Sequence, residues 1–298
     1  MIRILQFGAS GQLAREMLDR QDETVQVLPL SRAEVDLTDA DAIARAIETA
    51  EGIDLVLNAA AYTAVDKAES EPELAFAVNA RAPEAMATAC AARGLPLIHI
   101  STDMVFDGEK AGPYLETDAP NPLHVYGRSK LAGEEAVLAH CPRALVARVS
   151  WLFSAYGQNF LQAMLRLADS QPVLKVVADQ RARPTASGDV AAFLLSQARR
   201  LAAAPAGAAD WGLLHLVNEG EASRYDMAKA IFAHAWKDRP PPVIEPVPTS
   251  AFPTPAKRAL NAVLDSGRMK AVFGLQLRPW DEALEDVLDQ MAQAKVSV

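Results

Sequence analysis

Five short apolar runs, at residues 2–7, 25–30, 53–58, 95–101 and 144–150, alternate with segments of helical periodicity at 12–21, 39–50, 72–92 and 124–139. This alternation leaves few folds open. A run of four to eight residues is strand length, and a strand followed by an amphipathic helix and a second strand closes a parallel crossover. Repeated through 150 residues, the unit predicts an α/β fold built on a doubly wound parallel sheet. In such sheets ligands gather outside the carboxyl ends of the strands. Gly8, Ser31-Arg32, Asn58-Ala59-Ala60-Ala61 and Ser101-Thr102-Asp103 all fall at those ends, so they are expected to line one crevice.

The first strand ends in Gly8-Ala-Ser-Gly-Gln-Leu-Ala14 and a helical pattern opens after Gly11. Gly8 suits the tight turn, Gly11 permits a pyrophosphate to approach the backbone, and the helix N-terminus offers free N–H groups to an anion. Ser10, Gln12 and Leu13 belong to the same turn. This predicts a modified Rossmann fold for a dinucleotide. At the end of the second strand the chain reads Leu30-Ser31-Arg32, a small hydroxyl followed by a guanidinium. That pair favours the 2′-phosphate of NADPH over the 2′-hydroxyl of NADH, although NADH remains possible. Asn58, Ala59, Ala60 and Ala61 have side chains small enough to run past a cofactor.

Tyr126 and Lys130 stand four residues apart in Pro122-Leu-His-Val-Tyr-Gly-Arg-Ser-Lys130, on one face of a predicted helix. A Tyr hydroxyl beside an ammonium is a proton donor with its tuner, and the expected effect is a phenol pKa pulled down towards working pH. Tyr-x-x-x-Lys alone occurs on many surface helices; its place after the glycine turn and the strand-end Ser101-Thr102-Asp103 points to a nicotinamide-dependent carbonyl reductase. Thr102 reads equally as a strand-end hydroxyl bonding backbone, and Asp103 as a turn cap.

After Ser150-Trp151 prolines at 172, 184, 205, 240–242, 246, 248, 253 and 255 break the pattern. The expected division is a cofactor-binding unit at 1–150 and a smaller α/β substrate-binding unit at 151–298, with 184–204 packing back on the sheet. Residues 202–209 read as an exposed loop and 239–242 as a stiff linker. A net charge of −9 and a pI near 5.1 argue against a nucleic-acid partner. Two cysteines, Cys90 and Cys141, and no His cluster at ligand spacing suggest neither a disulfide framework nor a metal site. With no apolar stretch of membrane length and no leader pattern, the expected setting is the cytoplasm, away from any membrane.

These residues, with Asn58-Ala-Ala-Ala-Tyr-Thr-Ala-Val-Asp-Lys-Ala-Glu-Ser-Glu-Pro-Glu73, Ser101-Thr-Asp-Met-Val-Phe-Asp-Gly108, Arg148-Val-Ser-Trp-Leu-Phe153 and Val247-Pro-Thr-Ser-Ala-Phe-Pro-Thr-Pro-Ala-Lys-Arg258, give a chain that resembles the extended short-chain dehydrogenase/reductases. Within that superfamily it is similar to the dTDP-4-dehydrorhamnose reductases over nearly its whole length. The resemblance implies reduction of the C4 ketone of dTDP-4-dehydro-L-rhamnose, the last step of dTDP-L-rhamnose synthesis. It implies Tyr126 as proton donor, Lys130 on the nicotinamide ribose, Thr102 on the substrate oxygen, and Asp36 and Leu37 flanking adenine. For the substrate it implies Val65, Lys67, Glu69, Thr102, Asp103, Met104, Trp151, Asn159 and Arg258. Met104 stands where the family usually has Tyr, and Ala259 follows Arg258 where Pro is expected. Some relatives dimerise around magnesium held by glutamates; here Glu16 is kept, but the other positions fall near Gly188 and Gln290, so the expectation is a monomer or weak homodimer without an intersubunit metal. Two other readings fit the same residues: a reductase of another nucleotide 4-keto-6-deoxy sugar, and a non-catalytic relative like the regulatory subunit of methionine adenosyltransferase.

Overall fold

The structure, a computed structural model, describes residues 1–236 and 240–296. Strands β1 (Ile2–Phe7), β2 (Val25–Leu30), β3 (Leu55–Asn58), β4 (Leu97–Thr102) and β5 (Ala144–Val149) lie in one parallel sheet in the order β5-β4-β3-β1-β2. A sixth parallel strand, Gly212–His215, pairs with β5 and forms the far edge. Strand order reverses between β1 and β3, so a crevice opens at their carboxyl ends. Pro29, which has no N–H for a ladder, sits in β2 at the other edge, where a strand tolerates it.

Strand alternation divides the core between the two faces. Ile4, Val27, Leu55, Leu57, Ile98, Leu145 and Ala147 pack against helices Gln12–Arg20 and Ser187–Ala203. Leu5, Phe7, Val56, Leu97, Ala144 and Val146 pack against helices Ala40–Thr49, Ala82–Ala92 and Val125–His140. Both faces are therefore covered, as the near-continuous apolar strands demand. Within the second layer Arg148 of β5 is fully buried, and its guanidinium donates to both carboxylate oxygens of Glu134 at 2.6–3.1 Å.

Residues 151–186 and 216–296 add a third cluster, in which Phe153, Leu161, Leu174, Met227, Phe232 and Leu284 pack together. Strands Val173–Val177 and Val243–Val247 pair in parallel there. Helix Ser187–Ala203 lies against helix Gln12–Arg20 on the main sheet. The edge strand Gly212–His215 also belongs to that sheet, although it comes from the part of the chain expected to form the second unit; four residues bounded by a turn give no period to read. The linker expected at 239–242 begins at Arg239, which lies outside the described residues. Cys90 and Cys141 are both free and buried. Among the described residues no helix is long and apolar enough to cross a membrane.

Candidate active site

β1 runs into Gly8, whose φ of +100° only glycine adopts without strain, and a Cβ there would press on Ala60 at 3.3 Å. This lets the turn after β1 lie against Ala59-Ala60 after β3. Helix Gln12–Arg20 opens at Gly11 with no side chain capping it, so its first N–H groups are free for an anion. A Cβ on Gly11 would meet no protein atom within 4 Å. The turn thus has the room and the donors that a pyrophosphate needs.

Two cavities meet at this turn. One of about 590 Å³ is lined by Gly8, Ser10, Gly11, Ser31, Arg32, Asp36, Leu37 and Ala59 to Ala61. The other, about 490 Å³, shares Ser10, Gly11 and Ala59 to Ala61 and continues to Gln12, Leu13, Val65, Thr102, Asp103, Met104, Tyr126, Lys130 and Trp151. Residues expected for the adenosine end and residues expected for the chemistry therefore lie along one continuous trough. Ser31 carries a partner the sequence did not suggest: its N–H and hydroxyl both donate to Glu34 at 2.7 Å. These bonds hold the Glu34 carboxyl below its usual range, so it stays ionised beside Ser31.

Tyr126 and Lys130 come from helix Val125–His140, whose N-cap is His124; the His124 ring accepts from the Gly127 N–H at 3.0 Å. Burial lowers the His124 pKa to about 4, so the ring keeps the lone pair that caps the helix. Glu69 accepts from the Val125 N–H at 2.6 Å and fixes the same end. Two glycines press the helix inwards. A Cβ on Gly127 would lie 2.3 Å from the Met104 carbonyl oxygen, and one on Gly133 would lie 2.0 Å from the Asn79 carbonyl oxygen. Asn79 lies in a π-helical turn, Ala77–Arg81, and its side chain bonds both backbone groups of Tyr62 and the Ser129 hydroxyl.

The charges differ from the sequence expectation. The Tyr126 pKa is not pulled down towards working pH: burial raises it, the nearby Asp103 carboxylate raises it further, and hydrogen bonding with Thr102 offsets part of the rise. The phenol is therefore fully protonated at working pH. The Lys130 ammonium donates to the Ile100 carbonyl at 2.7 Å and lies 3.3 Å from Nε2 of His99. Burial lowers its pKa to about 8, against the opposing field of Glu134. Thr102 donates to Asp103 at 2.9 Å, and Ser150 donates to the other carboxylate oxygen at 2.6 Å. Burial raises the Asp103 pKa while these two hydroxyls and Arg224 hold it down.

Beyond Asp103 the trough continues past Met104, His124, Trp151, Gln180 and Arg258, then opens into a cavity of about 490 Å³ with Lys175, Thr249, Phe252 and Thr254 on its walls. Trp151 takes φ +41°, the sole non-glycine residue at positive φ among the described residues, a conformation that costs a bulky side chain of order 1–3 kcal/mol. Arg258 donates to Asp66 at 2.9 Å and to the Ala256 carbonyl at 2.8 Å.

Four expected residues stand apart from the catalytic and substrate end of this lining. Asn58 is buried beneath it, donating to His99 at 3.0 Å and accepting from the Ala60 N–H at 3.1 Å. Lys67 pairs with Glu71 at 2.8 Å and faces the first cavity. Glu69 is spent on the helix end. Asn159 caps helix Phe160–Ala168 and donates to Gln12 at 2.9 Å, tying the glycine turn to the second part of the chain. Sequence reading missed Arg224, His99 and Glu34; none lies in a spacing pattern, and each is recognisable only by what the fold sets beside it.

The RmlD substrate binding domain family matches this chain over residues 2–293. The dTDP-4-dehydrorhamnose reductase of Sinorhizobium fredii is 41% identical over 95% of this chain and 95% of its own. That of Burkholderia thailandensis is 42% identical over 97% and 100%. Among solved structures, the dTDP-4-dehydrorhamnose reductase of Clostridium acetobutylicum has a TM-score of 0.90 at 34% identity, covering 98% of this chain and 100% of that one. The Bacillus anthracis enzyme, solved in complex with NADP, has a TM-score of 0.89 at 31% identity, covering 97% and 100%. With the match running almost end to end, the chain belongs to the RmlD substrate binding domain family, that of the dTDP-4-dehydrorhamnose reductases.

Proposed function

We propose that this chain reduces the C4 ketone of dTDP-4-dehydro-L-rhamnose to dTDP-L-rhamnose, with NADPH as the favoured reductant and NADH accepted. The observation that carries the reading is the convergence of Thr102, Tyr126 and Lys130 on a trough continuous with the uncapped glycine turn. When bound, the nicotinamide supplies a hydride to the ketone carbon. Tyr126 holds its proton firmly and releases it to the oxygen as negative charge develops there. Thr102 holds a second hydroxyl at the same place; its proton goes to Asp103 in this state and turns from that carboxylate to the oxygen as charge develops there. Lys130, while protonated, stabilises the negative charge left on Tyr126 and would hold the ribose of a bound cofactor.

The same reading divides the labour along the chain. Residues 1–150 with 184–204 hold the cofactor through Gly8, Ser10, Gly11, Gln12, Leu13, Arg32, Asp36, Leu37 and Ala59 to Ala61. Residues 151–298 supply Trp151 and Arg258 to the sugar nucleotide, with Val65, Asp103 and Met104 contributed from across the trough. A monomer or weak homodimer without a shared metal is supported by Glu16, which is buried, accepts from Ser154 at 2.6 Å and pairs with Arg20 at 2.9 Å. Arg20 in turn fills the space beside Gly188. A sedimentation shift on adding magnesium would overturn that part. Free, buried Cys90 and Cys141 suit a cytoplasmic setting.

The test is oxidation of NADPH, and separately NADH, followed at 340 nm with dTDP-4-dehydro-L-rhamnose. Turnover with lower KM for NADPH supports the assignment. A folded protein that turns over only another 4-keto sugar nucleotide refutes the substrate, and one that binds NADPH without turnover on any refutes the chemistry.

A further inference from the structure

Arg224 is the first residue of helix Arg224–Ala235, which Ser223 and Asp226 close with reciprocal capping bonds, so its backbone is fixed before any ligand arrives. Its guanidinium lies 3.5 Å above the Trp151 ring and 5.0 Å from the Phe160 ring. Half-buried between two aromatic faces, it donates no hydrogen bond and forms no ion pair among the described residues. Two other arginines are treated differently: Arg258 beside it is engaged by Asp66, and Arg148 in the main sheet by Glu134. A guanidinium taken out of water without a partner is costly, and burial pulls the Arg224 pKa down to about 10. The charged groups in its surroundings are Asp103, whose carboxylate is occupied by Thr102 and Ser150, and Arg258, which repels it.

Position decides what would satisfy it. Arg224 lines the catalytic cavity with Tyr126 and Lys130, the passage with Gln180 and Arg258, and the outer cavity with Thr249 and Phe252. A ligand whose ketone meets Tyr126 and whose far end reaches Phe252 must pass Arg224 midway. Five unspent N–H groups in a planar fork match the oxygens of a phosphate. The Trp151 ring that orients the fork is held at positive φ, so a strained residue and an unpaired cation occupy the same point of the trough.

We propose that Arg224 is a specificity-determining residue that grips the diphosphate of the sugar nucleotide, held for that purpose by its stack on Trp151. This rests on the sugar-nucleotide reading above, and the test separates the two. Thymidine, dTMP and dTDP are titrated against the full-length wild type, Arg224→Gln and Arg224→Lys, each checked for a cooperative thermal transition. The wild type should bind dTDP much more tightly than thymidine. Arg224→Gln should lose roughly 10- to 100-fold of dTDP affinity with thymidine unchanged, and Arg224→Lys, which keeps the charge but not the fork, should lose less. KM for the sugar nucleotide should rise in step while KM for NADPH stays constant. Equal dTDP affinity in wild type and Arg224→Gln, or an equal loss of thymidine and dTDP, would overturn the proposal, as would a wild type that does not bind dTDP. If dTDP binding depends on Arg224 but dTDP-4-dehydro-L-rhamnose is not reduced, Arg224 stands and the sugar assignment falls.

Discussion

Nε2 of His99 lies 3.3 Å from Nζ of Lys130, and its other ring nitrogen lies 3.0 Å from Nδ2 of Asn58. The Asn58 amide is oriented by the Ala60 N–H, which donates to its oxygen, so its NH₂ group must donate to Nδ1 of His99. A neutral ring then carries its proton on Nε2, facing Lys130. His99 is neutral, because burial and the Lys130 charge push its pKa well below the usual value. An ammonium cannot accept that proton, so the row Asn58-His99-Lys130 acts in the same direction as burial and favours the neutral amine.

The consequence is an alkaline limit on catalysis. Lys130 is charged below its pKa of about 8 and neutral above it, so kcat should fall as pH rises through that value. The charged group that acts on it, Glu134, favours the charged form. His99→Phe removes the opposed Nε2–H and should move the limb to higher pH. A pH–rate profile from 6 to 10 on both proteins checks this; an unmoved limb with reduced kcat would reduce His99 to packing.

Tyr126→Phe should lower kcat by about 10²- to 10⁴-fold while NADPH binding is retained, since the ring still packs and only the proton is lost. Thr102→Ala should cost less, on the order of 10²-fold, and should also free Asp103 of one of its two hydroxyl partners. Single-turnover rates with NADPH fluorescence titrations measure both. Unchanged turnover in Tyr126→Phe would assign the proton elsewhere.

Cofactor choice depends on a carboxylate as well as on a guanidinium. Glu34 occupies the N–H and hydroxyl of Ser31, so a 2′-phosphate must displace it, whereas a 2′-hydroxyl could donate to it. Arg32 lines the same cavity and lowers the pKa of the neighbouring Asp36, after the larger effects of the two Thr38 bonds. Arg32→Ala should raise KM for NADPH about tenfold and leave NADH unchanged. Glu34→Gln should do the opposite, lowering KM for NADPH and raising it for NADH. Steady-state kinetics with both cofactors decide it, and equal shifts for the two would dismiss the 2′-position as the point of discrimination.

What the sequence made legible was whatever obeys a period or a fixed spacing. The five strands, the helix carrying Tyr126 and Lys130 and the turn at Gly8 all follow from local pattern. The edge strand Gly212–His215 did not, because four residues beside β5 owe their conformation to the pairing itself. Spacing placed Tyr126 and Lys130 on one helix face, yet it misjudged the Tyr126 pKa. The shift is governed by desolvation and by Asp103, and neither burial depth nor a residue 23 positions away is visible in so short a motif. Arg224 and His99 were silent for the same reason: an arginine at a helix start and a histidine in a strand acquire meaning only from Trp151 and Lys130 across the fold.

Gly127 and Gly133 bracket the catalytic helix, and they should fail differently when filled. At Gly133 a methyl would stand 2.0 Å from the Asn79 carbonyl, in a π-turn that also fixes Tyr62 and Ser129, so two backbones must separate. Overpacking of this kind costs about 1–3 kcal/mol, or more where backbone must move, and Gly133→Ala should lower stability to denaturant by at least that amount. At Gly127 the methyl would stand 2.3 Å from the Met104 carbonyl, which belongs to the turn that carries Thr102 and Asp103. Relief there comes by moving Tyr126 away from Thr102. Gly127→Ala should therefore lose kcat out of proportion to its loss of stability, because a misplacement of about 1 Å can cost on the order of 10²-fold in rate. Urea unfolding and turnover measured on the two variants together separate these outcomes: a Gly127→Ala enzyme that is destabilised but fully active would show that the distance between the helix and the Thr102 turn is not what sets the rate.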